Sequence, residues 1–152
     1  MVVCNHAVAR RICTYAQTKD TDRIRIFKKQ SEMENLMKTI GIIAEYNPFH
    51  NGHAYQIAEL KRKTNADFVV IAMSGDFVQR GAPAIIDKYC RTKMALLCGA
   101  DLVIELPAVW AVSSAEDFAM AGVTLFDQMG CIDGICFGAD SDQLSQLKLI
   151  AG

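Results

Sequence analysis

From residue 38 onward, short wholly apolar runs alternate with stretches whose apolar positions recur at helical spacing. Ile40-Gly41-Ile42-Ile43-Ala44, Phe68-Val69-Val70-Ile71-Ala72-Met73, Leu102-Val103-Ile104 and Gly134-Ile135-Cys136-Phe137 are the four candidate strands. They lack the polar–apolar alternation of a sheet with one wet face, so each is expected to be covered on both sides. The first predicted helix spans 53–63, with Ile57 and Leu60 inward and Lys61-Arg62-Lys63 at its C-terminal end, where cations suit the helix dipole. Asp87 is expected to cap a second helix that runs through Cys98 and stops at Gly99. The third strand stops at Pro107. Ser114 with Asp117 resembles a capping box opening a third helix that ends near Gly130, and Ser141 opens a fourth. A β-α-β-α-β-α-β-α order with apolar strands means an α/β fold: a parallel sheet with helices on both faces.

Ligands of such sheets bind at the C-terminal strand ends, where the strand order reverses. With the doubly wound order 3-2-1-4, that crevice lies between the first and fourth strands. The loop at 45–52 then faces the loop at 138–142. Two of the chain's three histidines fall in the first of these, Asn47-Pro48-Phe49-His50-Asn51-Gly52-His53. A helix start presents unpaired N–H groups and about half a positive charge, which makes it an anion site. Gly52 lets the backbone approach a ligand, and His50 and His53 are spaced to share one side of a helical turn. Attack on an α-phosphate builds charge on equatorial oxygens, and donors fixed there stabilise it. Positioning and charge stabilisation suffice, with no covalent intermediate. Two plainer readings stay open: a metal pair, although no third ligand stands at a recognisable interval, and a merely solvated polar loop.

The loop at 74–86 is long enough to suggest function. Ser74, Asp76, Gln79 and Arg80 in it, and Lys88 just after it, are second-rank candidates, with Arg80 and Lys88 suited to β- and γ-phosphates. Equally, Asp76 and Arg80 pair to fix the loop and Asp87 is only a cap. Glu105 is expected simply to end its strand, and Phe68, Met73 and Phe118 to be core.

A composition of 51% hydrophobic and 22% charged residues is that of a folded domain. No apolar run approaches the roughly 18 residues that cross a bilayer, and the first residues lack a secretion signal's apolar core, so a cytoplasmic location is expected. The six cysteines form no CxxC pair, so free thiols are expected rather than a disulfide framework, and Cys131 with Cys136 lack a second ligand pair for zinc. Residues 1–36 hold seven Lys/Arg against four Asp/Glu, the rest nine against thirteen. They are expected to form a poorly ordered extension ahead of a domain at 37–152, the other reading being a basic arm that reaches toward nucleic acid. The sequence leaves the oligomeric state open.

Gly41-Ile-Ile-Ala-Glu-Tyr-Asn-Pro-Phe-His-Asn-Gly-His53 carries the HxGH signature of the nucleotidylyltransferase superfamily. With Met73-Ser-Gly-Asp-Phe-Val-Gln-Arg-Gly81 and Gly99-Ala-Asp-Leu-Val-Ile-Glu-Leu-Pro107, residues 37–150 resemble the bacterial tRNA(Met) cytidine acetate ligases. The resemblance implies a Rossmann-like doubly wound sheet of the HxGH type, C-terminally incomplete after about four strands because members of the family are longer. It implies ATP, with Mg2+, as substrate and His50 and His53 as catalytic residues. ATP would be wrapped by Ile43, Ala44, Glu45, Tyr46, Asn47, Pro48, Phe49, Asn51, Gly52, Ala54, Tyr55 and Gln56, with Gly138 completing the pocket, and no protein-held metal is expected. Acetate would be activated to acetyl-adenylate and its acetyl group passed to N4 of the wobble cytidine of elongator tRNA(Met). Two departures, Ala82 and Tyr89-Cys90, bear on the acceptor side rather than on the histidine loop. Two other functions fit the same superfamily: a coenzyme-type adenylyltransferase, and a truncated, inactive nucleotide-binding module.

Overall fold

The computed structural model describes residues 2–4 and 37–138. The elements are β1 (Val2–Cys4), β2 (Thr39–Ala44), α1 (Asn51–Thr64), β3 (Phe68–Met73), a 3-10 turn at Gln79–Gly81, α2 (Lys88–Leu97), β4 (Leu102–Glu105), α3 (Ala108–Ala111), α4 (Ala115–Met129) and β5 (Gly134–Cys136). The sheet order is β1-β4-β3-β2-β5. All pairings are parallel except β1 with β4. The four expected strands thus lie in the expected 3-2-1-4 order. The chain steps outward from β2 through β3 to β4, then crosses back to place β5 on the other side of β2.

The apolar strands divide their side chains by pleat, because successive residues point to opposite faces. Val69, Ile71, Met73 and Val103 pack with Ile57 and Leu60 of α1 and Ala95 of α2. Val70, Ala72 and Leu102 pack with Phe118 and Phe126 of α4. Two glycines bring α4 close to β2. A Cβ on Gly41 would sit 2.5 Å from a Phe126 ring carbon, and one on Gly122 would sit 2.5 Å from Ile43 Cδ1. Phe126 is itself buried and its ring has little room to retreat. Gly41→Val is therefore expected to destabilise the fold by about 1–3 kcal/mol, the usual cost of overpacking a core. A lowered urea midpoint with an unchanged slope would show it; an unchanged midpoint would mean that α4 moves freely.

The caps follow from single residues. Asp87 Oδ1 accepts from Cys90 N–H at 2.9 Å to start α2, Cys98 is that helix's C-cap, and Gly99 turns the chain away at φ +106°. Ser114 Oγ accepts from Asp117 N–H at 3.1 Å, but its hydroxyl is directed at the Asp117 carboxylate, 2.9 Å away. The reciprocal bond to the cap backbone is therefore not made. Gly130 ends α4 in the left-handed conformation.

Four features depart from expectation. α1 starts at Asn51, two residues early. The short helix α3 follows Pro107 where only a loop was expected. Phe137 falls just past the end of β5. Val2–Cys4 adds an antiparallel edge strand from within the N-terminal extension. The helix expected from Ser141 lies outside the described residues. Among the described residues no helix is long and apolar enough to cross a membrane.

Candidate nucleotide site

The reversal of strand order between β2 and β5 opens a cleft at their C-terminal ends, about 830 Å³ in volume. Ile43, Ala44, Glu45, Tyr46, Asn47 and Pro48 line it from the β2 side, His50, Gly52, His53 and Gln56 from α1, and Phe137 and Gly138 from beyond β5. The first loop and the start of the second, at Gly138, therefore do come together; residues 139–142 of the expected second loop lie outside the described residues. Phe137, 68% exposed, was missed as a lining residue, although its position between a strand end and Gly138 at the switch point could have marked it. A Cβ on Gly138 would meet nothing within 4 Å.

The chain leaves β2 through Tyr46, which is buried in the left-handed region at φ +51°. The Asn47–Pro48 peptide is cis. The Tyr46 ring packs edge-on to Phe49 at 4.8 Å between centroids and against His53 at 4.7 Å. Burial pushes the Tyr46 hydroxyl far above its ordinary pKa. Phe49 also lies 5.5 Å from His53, so it supports the histidine from outside the cleft lining.

The two imidazoles cap their own helix. His50 is the N-cap, with extended backbone. Its Nδ1 accepts from Gly52 N–H at 3.1 Å, while His53 Nδ1 accepts from His50 N–H at 3.3 Å. This reciprocal arrangement uses rings where a capping box normally uses Ser or Thr and Glu or Gln. The rings stack at 3.7 Å with 23° between planes. A Cβ on Gly52 would stand 2.9 Å from His50 Cε1. The glycine therefore makes room for the imidazole to fold back over the helix start, a different reason from the close approach of ligand expected of it. Because each Nδ1 is an acceptor, each proton sits on Nε2, the tautomer that leaves an N–H donor on the far side of each ring. Burial, and then the nearness of His50, hold His53 below the usual imidazole pKa, so that its ring is neutral near pH 7.

The other expected contacts are placed elsewhere. Asn51 is the exposed first residue of α1, Ala54 is half-buried one turn in, and Tyr55 is 68% exposed; none of the three lines the cleft. None of the second-rank residues lines it either. Ser74 is fully buried, with its hydroxyl unpartnered. Gln79 N–H donates to Glu45 Oε1 at 2.9 Å, so it braces the first loop. Asp76 pairs with Lys88 at 3.2 Å, not with Arg80, and Lys88 also meets Glu105 at 2.9 Å. The Lys88 ammonium, read as a phosphate anchor, is thus shared between two carboxylates, whose hydrogen bonds raise its pKa. Glu105 does end β4, but it also holds this cation. Arg80 is exposed at φ +63°, its N–H donating to Val112 O at 3.1 Å.

Sequence reasoning missed Arg91 altogether. It is fully buried on α2 and donates to four main-chain carbonyls: Ile86 O at 2.8 Å, Glu45 O at 2.6 Å, Ser74 O at 3.1 Å and Gly75 O. Burial lowers its pKa, opposed by the nearby carboxylates of Asp76, Asp87, Glu45 and Glu105.

Residues 37–152 match the family described as HIGH Nucleotidyl Transferase. The chain is 55% identical over 115 residues to the tRNA(Met) cytidine acetate ligase of Acetivibrio thermocellus, covering 76% of this chain and 28% of that one. It is 51% identical over 114 residues to the ligase of the same name from Clostridium kluyveri, covering 75% and 28%. Among solved structures it superposes on Thermotoga maritima TmcAL bound with alpha-thio ATP at a TM-score of 0.72 and 42% identity, over 76% of this chain and 28% of that one. The chain thus spans little more than a quarter of the length of the relatives it matches.

Proposed function

The chain belongs to the HIGH nucleotidyl transferase family, and from that premise we propose that it forms the ATP site of a tRNA(Met) cytidine acetate ligase. The observation that carries the reading is the pair of stacked imidazoles capping α1 in the cleft between β2 and β5. A carboxylate oxygen of acetate attacks the α-phosphorus of ATP. The bond to the α,β-bridging oxygen breaks, and pyrophosphate leaves with that electron pair. The Nε2–H groups of His50 and His53, with the positive end of the α1 dipole, stabilise charge on the α-phosphate oxygens as it develops. Acetyl-adenylate then meets the N4 amine of the wobble cytidine of elongator tRNA(Met). Nitrogen bonds to the acyl carbon, the amine loses a proton, and AMP departs.

Mg2+ belongs to this reading as an ion carried on the triphosphate rather than held by the protein. Such an ion would neutralise phosphate charge. Acetate, tRNA and a cytoplasmic setting belong to the same reading, which draws support from the names of the longer relatives. The adenine base and triphosphate are expected to lie among the cleft residues from Ile43 to Gln56 and Gly138.

Isotope exchange between pyrophosphate and ATP, on protein expressed from the complete reading frame, tests the proposal. Exchange is expected to depend on acetate. Exchange stimulated instead by a mononucleotide phosphate would identify a coenzyme adenylyltransferase. ATP binding without any exchange would identify an inactive nucleotide-binding module.

A further inference from the structure

Carbonyls at the ends of parallel strands lose their ladder partners as the chain turns into loops, and buried ones must be satisfied some other way. Glu45, Ser74 and Gly75 stand at such exits from β2 and β3, and Ile86 immediately precedes the cap of α2. One guanidinium serves all four. Its planar fork reaches several acceptors at once, which a lysine's single ammonium on a flexible stem does not. We infer that Arg91 is a positioning residue for the nucleotide site, locking the histidine loop to the loop at 74–86 so that the two move as one body. The inference rests on the ATP reading given above.

Three further contacts close the brace. Ser74 N–H donates to Ala44 O at 3.2 Å, Gln79 N–H to Glu45 Oε1 at 2.9 Å, and Ile85 N–H to Asn47 Oδ1 at 2.7 Å. Glu45 is the pivot. Its carbonyl is held by Arg91 and its carboxylate by Gln79, it lines the cleft, and the next residue, Tyr46, turns the chain left-handed toward His50 and His53. Releasing the Glu45 carbonyl frees the point from which the whole histidine loop departs. The loop at 74–86 reaches the reacting phosphate through this frame, without any of its second-rank residues lining the cleft.

The test compares wild type and Arg91→Lys, both as the complete protein, by cooperative thermal melting, acetate-dependent pyrophosphate exchange and binding of α,β-methylene-ATP. Misplacing a catalytic loop by about 1 Å costs on the order of a hundred-fold in rate. Folded Arg91→Lys is therefore expected to lose about that in kcat, with a smaller change in KM. A kcat within about threefold of wild type in a folded variant would overturn the inference, since a merely stabilising arginine lowers the melting temperature and not the turnover of the folded fraction. Hydrogen exchange on the wild type gives a second arm that survives a variant failing to fold. Adding α,β-methylene-ATP is expected to slow exchange at the Gln79 and Ile85 amides as well as within 43–56; protection confined to 43–56 would also overturn the brace. Wild type that binds ATP but shows no acetate-dependent exchange would sink the ligase reading alone, and the amide protection would still decide the role of Arg91.

Discussion

Under the proposed function, replacing His53 by alanine is expected to slow acetyl-adenylate formation about a hundred- to a thousand-fold, the usual cost of removing one donor aimed at developing charge. The upper end of that range applies because the ring does three things. Its Nε2–H lies on the side of the ring opposite the capping Nδ1, that Nδ1 accepts the His50 N–H, and its face stacks on the His50 ring. Removing it also unseats His50. The reverse change, His50→Ala, leaves His53 packed against Tyr46 and Phe49 and is expected to cost less in rate, together with about 1 kcal/mol for the lost cap. His53→Gln separates the two contributions. Its amide oxygen can take the capping-box position, so stability should recover while the rate does not. Single-turnover measurement of adenylate formation in the complete protein checks all three variants. Near-wild-type turnover in folded His53→Ala would mean that the imidazole only caps the helix.

The parts of this fold that were legible in the sequence depend on chemistry confined to a few adjacent residues. β3 could be recognised because a strand covered on both faces has no polar position to break its apolar run, and Val69 to Met73 are all buried. Asp87, Ser114, Gly99 and Gly130 could be placed because a cap is set by one side chain or one left-handed residue. The strand order was supposed by analogy with doubly wound folds rather than derived, because four parallel strands fit more than one such order, and the observed order agrees with the supposition. The HxGH loop could be located on the sheet, but its internal bonding could not. Asn51 and Gly52 are poor helix formers, which hid the early start of α1 and with it the role of His50 as cap. Arg91 was illegible for a different reason. An arginine in an amphipathic helix normally lies at the surface, whereas this one is buried by carbonyls up to 46 residues away in sequence. The same holds for Lys88, whose partner Glu105 is 17 residues distant, and for α3, which at four residues is too short to show a helical period.

Acidification is expected to abolish adenylate formation along a limb that lies below pH 6.5, the ordinary imidazole value. The sign follows from the bonds. His53 Nδ1 accepts the His50 main-chain N–H, and a proton there would turn an acceptor into a donor facing a donor. A charged His53 would also stand at a helix terminus that already carries positive partial charge. Burial, reinforced by His50, lowers the pKa of His53 in the folded protein. As pH falls through 6.5 the unfolded chain therefore takes up this proton first. Folding stability from this group is intact above 6.5 and declines from there down to the folded-state pKa. Activity should fall about tenfold per pH unit once the neutral form is the minority species. The profile of kcat/KM, which reports the free enzyme, is the quantity to measure, with His53→Ala as the control that lacks the limb. A rate that climbed as pH dropped from 7 to 5.5 would require imidazolium rather than imidazole at the α-phosphate, and neutral His53 could not then be the catalytic form.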